Sequence, residues 1–285
     1  MRKTVLLLMV LCFIGLLFSC TTKRENDLQR AELKGKIKAI REISYNAIGN
    51  ADTLVKGDII DEQGAENYYT RYNEQGNIIS LIKYDKDNAV KYKWRFHYDK
   101  KGRRQISAKC YEAQDIEEDS TSYVYDKKGN PVEYIHYTTD GKIKFRTVSK
   151  FNKKGNMVEE KVFDDKNLLK KSSKFRYKKN KLIEGQSFDS SGKLLIRSLY
   201  SYDKKGNMQK MTMADGKNNP ISQGIYSYNK DGFVHTELLK RPGYTDLLLE
   251  YIYVVDVNGN WTQRIMLSEG EAFQITIRQI EYFEN

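Results

Sequence analysis

Histidines are the first side chains to consider for acid–base or metal chemistry, and the sequence has three of them. His97, His136 and His235 lie far apart in the chain, and none belongs to a metal-binding or catalytic motif. The chain also has no P-loop, no G-x-S-x-G motif and no cysteine-rich metal spacing. We therefore predict no metal, no cofactor and no catalytic histidine, and expect the histidines to lie on strand faces.

Adjacent carboxylates are the second candidates for chemistry. Asp164 and Asp165, and the run Glu117, Glu118 and Asp119, lie in stretches that look like turns. Glycoside hydrolysis needs two carboxylates at a defined separation in a cleft, and these runs are more typical of solvated turns. The sequence therefore predicts a protein that is not an enzyme, with a hydrolase of envelope polymers as an alternative.

Aromatic side chains form a third pattern that could bind a ligand. From Lys91 to Tyr98 the chain alternates strictly between charged or polar residues and aromatic residues, which is typical of a β-strand with two different faces. We expect these aromatic residues to pack against neighbouring strands, and the alternative is a platform on which sugar rings stack. The candidate stacking residues are Tyr92, Trp94, Phe96 and Tyr98.

Cysteines are few. Cys12 and Cys20 lie in or next to the N-terminal apolar run, so Cys110 is the one cysteine of the remaining chain. A single cysteine cannot form an intramolecular disulfide. Because Lys109 and Tyr111 place Cys110 in a strand-like run, we expect a packed thiol and not a nucleophile.

The N-terminus has the pattern of an export signal. Arg2 and Lys3 precede an apolar run from Val5 to Phe18 that is too short to span a membrane. Leu17, Ser19 and Cys20 resemble a bacterial lipobox, which predicts a lipoprotein signal over residues 1–19 and fatty acylation, such as palmitate, at Cys20. The alternatives are an ordinary cleaved signal and an uncleaved anchor.

Removal of this signal takes away Arg2 and Lys3, which lowers the net charge from +11 to +9. Lysines stand next to aspartates in most turns, so the charge is mixed, and an exported protein does not normally meet nucleic acid. We expect a membrane partner through the lipid on Cys20 and no nucleic-acid partner, and an anionic envelope polymer is the alternative use of the positive charge. The expected location is the bacterial envelope, at the periplasmic or outer face of the outer membrane.

A short phrase of the type Y-D-K-K-G-N recurs along the chain from Tyr72 to Val255. It returns at a nearly constant interval of about 26 residues, which is typical of a repeat protein. Asp at its start and Gly at its fourth turn position are typical of a type I turn closed by a glycine bulge, which joins antiparallel strands. The predicted turn-defining glycines are Gly76, Gly102, Gly129, Gly155, Gly206, Gly232 and Gly259.

A weaker series of turns lies between these phrases, so turns follow one another at half the repeat interval. The sequence predicts an all-β antiparallel meander of about 16 strands in a curled or spiral single sheet. The predicted segments are a signal over 1–19, a flexible tether over 20–33 and one β domain over 34–285. A closed transmembrane barrel is the alternative, which charges on the aromatic strands, such as Glu159 and Lys161, disfavour.

The phrase resembles the YD repeats of the RHS family, and its combination with a lipobox resembles short RHS-repeat lipoproteins of diderm bacteria. The resemblance covers about residues 60 to 265, and it implies a β-strand spiral with a carbohydrate or protein partner. We therefore expect a non-enzymatic envelope lipoprotein with a binding or structural role. An immunity partner of a secreted toxin is the alternative.

Overall fold

The computed structural model describes residues 25–49, 54–60 and 66–284, and nearly all of them lie in β-strands. One short helix, α1, spans Asp27–Arg30. The strands are β1 Ile37–Ile48, β2 Val55–Ile59, β3 Asn67–Tyr72, β4 Ile78–Tyr84, β5 Val90–Tyr98, β6 Gln105–Glu112, β7 Glu117–Tyr125, β8 Pro131–Thr138, β9 Ile143–Phe151, β10 Met157–Asp164, β11 Leu169–Lys178, β12 Lys181–Asp189, β13 Leu194–Tyr202, β14 Met208–Asp215, β15 Pro220–Tyr228, β16 Val234–Lys240, β17 Leu247–Val255, β18 Trp261–Ser268 and β19 Glu271–Tyr282.

From β3 to β19 every strand pairs antiparallel with the next strand in the chain. The turns of the repeated phrase explain this order. In the turn after β7, the Gly129 amide donates to the Asp126 carbonyl at 2.9 Å, and the Asp126 carboxylate accepts the Lys128 and Asn130 amides. An aspartate that holds its own turn in this way fixes the length of the connection and therefore the strand pairing.

The predicted turn glycines all have a positive φ, between +65° and +100°. Asparagines that replace glycine in other turns, Asn88, Asn167 and Asn180, have φ between +59° and +64°. Asparagine is the residue besides glycine that enters this left-handed region most readily.

The prediction of an open sheet of about 16 strands is wrong, because the sheet closes. Strand β1 pairs on one edge with β3 and on the other with β19, so that Ile40 lies opposite both Thr70 and Ile280. The result is an antiparallel barrel of 18 strands, β1 and β3 to β19, with β2 as an extra strand on the end of β1. Closure pairs the backbone groups that an open sheet leaves unpaired at its two edges.

Strands β1 and β19, which close the barrel, differ from the strands of the repeats. They are the longest strands of the described chain, and neither of them begins or ends with a complete repeated phrase, so the repeat pattern gave no sign that they pair. Ser44 of β1 and Thr276 of β19 lie opposite each other although they are 232 positions apart in the sequence. A periodic pattern describes neighbouring residues and cannot predict a contact between residues so far apart in the sequence.

The segment before β1 identifies which face of the wall is the interior. The Leu28 amide donates to the carbonyl of Gly76, in the turn after β3, and the Lys34 amide donates to Asn260, in the turn after β17. These turns lie on opposite sides of β1, so residues 28–34 cross the end of the barrel. The Tyr98 hydroxyl of β5 also lies 3.4 Å from the Asp27 carboxylate, and the Asn260 side chain, next to β18, donates to the Lys34 carbonyl at 2.8 Å. Strands so far apart around the ring can both face one short segment only from inside.

Part of the predicted tether over residues 20–33 is therefore structured. An asparagine cap starts α1, because the Asn26 side chain accepts the Gln29 amide and the Gln29 side chain accepts the Asn26 amide. Leu28 of α1 packs with Ile37, Ile40 and Tyr72 in a small apolar core at the mouth of the barrel. The rest of the predicted tether and the predicted signal lie outside the described residues.

Most strand residues are only half-buried on both faces, as expected for a wall one layer thick. A ring of 18 strands leaves an interior wider than side chains alone can fill. Among the described residues, no helix has the length and apolar character needed to cross a lipid bilayer.

Candidate ligand site in the barrel interior

Strand registers place the predicted aromatic stripe on the interior face of the wall. Trp94 of β5 lies opposite Cys110 of β6, and Cys110 lies opposite Asp119 of β7. Likewise, Phe96 lies opposite Ala108, Ala108 lies opposite Thr121, and Thr121 lies opposite His136 of β8. Directly opposed residues point to the same side of a sheet, so these side chains share one interior surface.

Four tyrosines that precede turns of the repeated phrase are already engaged. Each hydroxyl donates to a backbone carbonyl at the start of the preceding strand, at 2.7 to 2.8 Å. The donors are Tyr98, Tyr125, Tyr202 and Tyr228, and the acceptors are Ile78, Gln105, Leu182 and Met208. Burial raises the pKa of Tyr202 and Tyr228, which keeps these donors protonated. Tyr98 of the predicted stripe therefore also holds the wall together through its hydroxyl.

The remaining aromatic residues surround a recess of about 220 Å³ in the interior wall between β5 and β8. Trp94 and Phe96 form one side of it, and Tyr123 and Tyr134 form the other. The rings of Tyr123 and Tyr134 meet edge to face at 5.2 Å. Tyr92, whose ring centroid lies 5.7 Å from that of Trp94, extends the aromatic surface and is 37% exposed.

Polar groups line the same recess. His136 Nε2 lies 2.9 Å from Asp119 Oδ2, and the imidazole packs against Phe145 with centroids 4.8 Å apart. Thr121 lies opposite His136 in the register, and its hydroxyl is buried without a hydrogen-bond partner among the described residues. A buried hydroxyl without a partner is costly, so a ligand or a water that reaches Thr121 would remove that cost.

Cys110 also lines the recess but does not supply a nucleophile. Its side chain is buried, and burial, followed by the nearby Asp119 and Glu118 carboxylates, raises the pKa of the thiol to about 11. The thiolate is the reactive form of cysteine, so at neutral pH this side chain is a small apolar group.

A second interior cluster lies at the seam where the barrel closes. Arg278 contacts Glu42 at 2.7 Å, and Arg264 contacts Glu66 at 2.6 Å. Both guanidinium groups lie over the ring of Trp261, at 3.3 and 5.0 Å from its centroid. Because these charges form two ion pairs and Trp261 is only 7% exposed, this cluster holds the closing strands together.

A larger recess of about 490 Å³ lies between β13 and β16. Its cationic groups are engaged, since Arg197 pairs with Glu184 and Lys240 pairs with Asp246. We therefore assign the candidate site to the smaller recess, where aromatic faces and an unpartnered hydroxyl meet.

The other residues considered for chemistry do not come together. His97 and His235 are exposed, and Asp164 holds its turn by accepting the Lys166 and Leu168 amides. Within the described ranges, no three His, Cys, Asp or Glu side chains form a metal-binding group. Sequence reasoning missed Asp119, Thr121 and His136 as partners of Trp94, although carrying the register across the three turns between β5 and β8, two of the repeated phrase and one of the weaker series, would have aligned them.

Comparisons with known proteins find no matching family model and no matching curated protein. Among solved structures, a porin-like protein from Bacteroides uniformis is 10% identical, with 85% of this chain and 98% of that chain covered and a TM-score of 0.45. A porin-like protein from Bacteroides vulgatus is 10% identical over 88% of this chain and 100% of that chain, with a TM-score of 0.39. The TcdB2-TccC3-TEV structure is 11% identical over 82% of this chain and 14% of that chain, with a TM-score of 0.28.

Proposed function

We propose that this protein is a non-enzymatic, lipid-anchored barrel of the bacterial outer membrane that binds a glycan against the aromatic wall of its interior. The recess between β5 and β8 carries the proposal. Its aromatic side chains stand beside a buried Thr121 hydroxyl that has no partner among the described residues.

A glycan fits this combination of groups. The C–H faces of a sugar ring pack on aromatic rings, and its hydroxyls need donors and acceptors such as Thr121 and the His136–Asp119 pair. A recess of about 220 Å³ is smaller than the usual pocket for a drug-sized molecule, roughly 300 Å³ or more. It therefore suits one ring of a longer chain that continues along the wide interior.

Binding without catalysis is consistent with the surrounding carboxylates. Asp119, the carboxylate that lines the recess, is hydrogen-bonded to His136. A pair of carboxylates free to face one glycosidic bond from both sides is what hydrolysis requires.

The outer face of the wall suggests that the barrel stands beside the membrane and not across it. Ion pairs lie mid-strand on this face, as in Arg146–Glu133 at 2.8 Å and Lys150–Glu159 at 2.8 Å. Glu184 is similarly held by Arg197. A lysine or arginine on a lipid-facing strand costs roughly 2–4 kcal/mol at the middle of a bilayer.

Glycan binding is tested by titrating the mature chain with a panel of hexasaccharides built from glucose, mannose or N-acetylglucosamine. We expect one of these to bind, and we expect Trp94→Ala to weaken binding by about 5- to 150-fold, since a lost aromatic stack is worth on the order of 1–3 kcal/mol. Tyr244→Ala is the matched control, because Tyr244 is 72% exposed and does not line the recess. Equal binding by the Trp94 and Tyr244 variants would exclude the recess as the site.

The anchor is tested separately by metabolic labelling with palmitate. We expect label in the natural protein and none in Cys20→Ser. Label that persists in Cys20→Ser would show that the acyl chain is elsewhere.

A further inference from the structure

The turns of the repeated phrase lie at one end of the barrel, because successive turns of a meander alternate between its two ends. At this end five consecutive turns each carry at least two lysines or arginines, and we call them the basic rim. The basic rim consists of residues 99–104, 126–130, 152–156, 178–181 and 203–207. Its lysines at 127, 128, 153, 204 and 205 are all exposed.

The opposite end has a different charge. Its turns include 85–88 with Asp85 and Asp87, and 112–115 with Glu112 and Asp115. The turn after β10 adds Asp164 and Asp165. The barrel is therefore electrically polar along its axis, with positive charge concentrated at one rim.

The start of the described chain lies at the same end of the barrel as the basic rim. Asn26 donates to the Gln75 carbonyl at 2.7 Å, and the Leu28 amide donates to the Gly76 carbonyl at 3.0 Å, so both are fixed to the turn after β3. Cys20 and Glu25 are close together in the sequence. A fully extended chain of this length spans roughly 18 Å, so a lipid on Cys20 would hold this end of the barrel close to the membrane surface.

We propose that the basic rim docks on an anionic membrane surface, so that the barrel stands with this end on the lipid headgroups and its opposite end directed away. The proximity of the rim rests on the anchor proposed above, whereas the attraction between the rim and the lipid does not. Anionic lipid attracts nearby lysines and arginines, and it repels the carboxylates of the opposite rim. The attraction acts within a Debye length, about 10 Å at 0.1 M salt, which the short tether allows.

The test uses the mature chain with Cys20→Ser, which contains every described residue and has no acyl group. The measurement is co-sedimentation with vesicles of phosphatidylglycerol and phosphatidylcholine, and with vesicles of phosphatidylcholine alone, at about 0.05 and 0.5 M NaCl. We expect binding to the anionic vesicles at low salt and its loss at high salt and on neutral vesicles.

A matched pair of variants locates the binding surface. Lys127→Gln, Lys153→Gln and Lys204→Gln together neutralise three exposed lysines of the basic rim, and we expect at least tenfold weaker binding, because each lysine contributes about fivefold. Lys166→Gln, Lys193→Gln and Lys217→Gln together remove the same charge from exposed positions at the opposite end and should leave binding within about twofold of the parent.

Three outcomes would overturn the proposal. They are no binding to anionic vesicles at low salt, equal weakening by the two triple variants, or equal binding to both kinds of vesicle. A circular-dichroism spectrum of each variant checks that it is folded. The tested protein carries no lipid, and no glycan is added. A failure to bind vesicles would therefore not contradict acylation of Cys20 or glycan binding, which the experiments above test separately.

Discussion

Aromatic residues of the wall have two roles that the residue type alone does not distinguish. Tyr98 and Tyr202 end strands and donate to a carbonyl of the neighbouring strand, whereas Trp94 lies mid-strand and faces the recess. The glycine and asparagine positions could be predicted from sequence, because a positive φ restricts residue type directly. Whether an aromatic ring holds the wall together or faces the recess could not be predicted, since this depends on which residue lies opposite it in the register.

The recurrent tyrosine bond predicts a uniform contribution to stability. Tyr202→Phe removes only the hydroxyl that donates to the Leu182 carbonyl at 2.8 Å, and we expect it to lower the free energy of unfolding by about 1 kcal/mol. Urea denaturation measures this change. Tyr244→Phe, at an exposed position, should stay within about 0.5 kcal/mol of the parent protein.

Cys110 should react slowly in the folded protein. Burial raises the pKa of its thiol from 9.0 to about 11, so the native thiolate fraction at pH 8 is about 100-fold below that of the unfolded chain. The protonated thiol favours the folded state fully below pH 9, and this contribution declines as pH rises toward about 11. Iodoacetamide labelling of the mature chain with Cys20→Ser, in which Cys110 is the one remaining cysteine, checks this in native buffer and in urea. A labelling rate of the native protein that stops rising by pH 9 would contradict the raised pKa of Cys110.

At the scale of elements, the turns could be predicted and the first helix could not. The repeated D-x-x-G phrase predicts a hairpin wherever it occurs, because its aspartate and glycine act within the turn itself. Helix α1 has one buried residue, Leu28, in a polar run, and its cap of Asn26 and Gln29 is too short a signal to stand out. Its position depends on the turns after β3 and β17, which the local sequence does not specify.

Leu28 should contribute more to the free energy of unfolding than a residue of a four-residue helix normally does. Leu28→Ala leaves a cavity among Ile37, Ile40 and Tyr72, and we expect a loss of about 2–3 kcal/mol in the free energy of unfolding. Lys36→Ala, at an exposed side chain nearby, is the control and should change stability little. If the two variants unfold at the same urea concentration, α1 does not pack in the mouth of the barrel.

Turn glycines give a second prediction at this scale. Gly141 has a φ of +78°, and a Cβ atom there would meet nothing within 4 Å. Gly141→Ala should therefore cost about 1–2 kcal/mol through backbone strain alone, whereas Gly141→Asn should cost less, because asparagine tolerates this conformation. Urea denaturation of both variants compares the costs, and an alanine as stable as the parent would argue against the left-handed turn.

At the scale of the whole molecule, local periodicity predicted an all-β chain of sequential hairpins but not its closure. Each repeat pairs with its neighbours in an open sheet and in a barrel alike. The difference lies in one contact, between β1 and β19, which depends on the accumulated twist of all the intervening strands. The same closure converts a predicted aromatic stripe into an interior wall and places the candidate site inside.

A disulfide across the seam tests closure most directly. Ser44 of β1 and Thr276 of β19 are directly opposed, with their side-chain oxygens 3.0 Å apart, and such pairs lie within the Cα separation that a disulfide accepts. In the mature chain, which lacks Cys12, with Cys20→Ser and Cys110→Ala, Ser44→Cys with Thr276→Cys should form a disulfide that closes residues 44–276 into a loop and changes migration on a non-reducing gel. Ser44→Cys with Ser149→Cys, on the far side of the ring, should not. Failure of the first pair to cross-link in the folded protein would contradict the closed barrel.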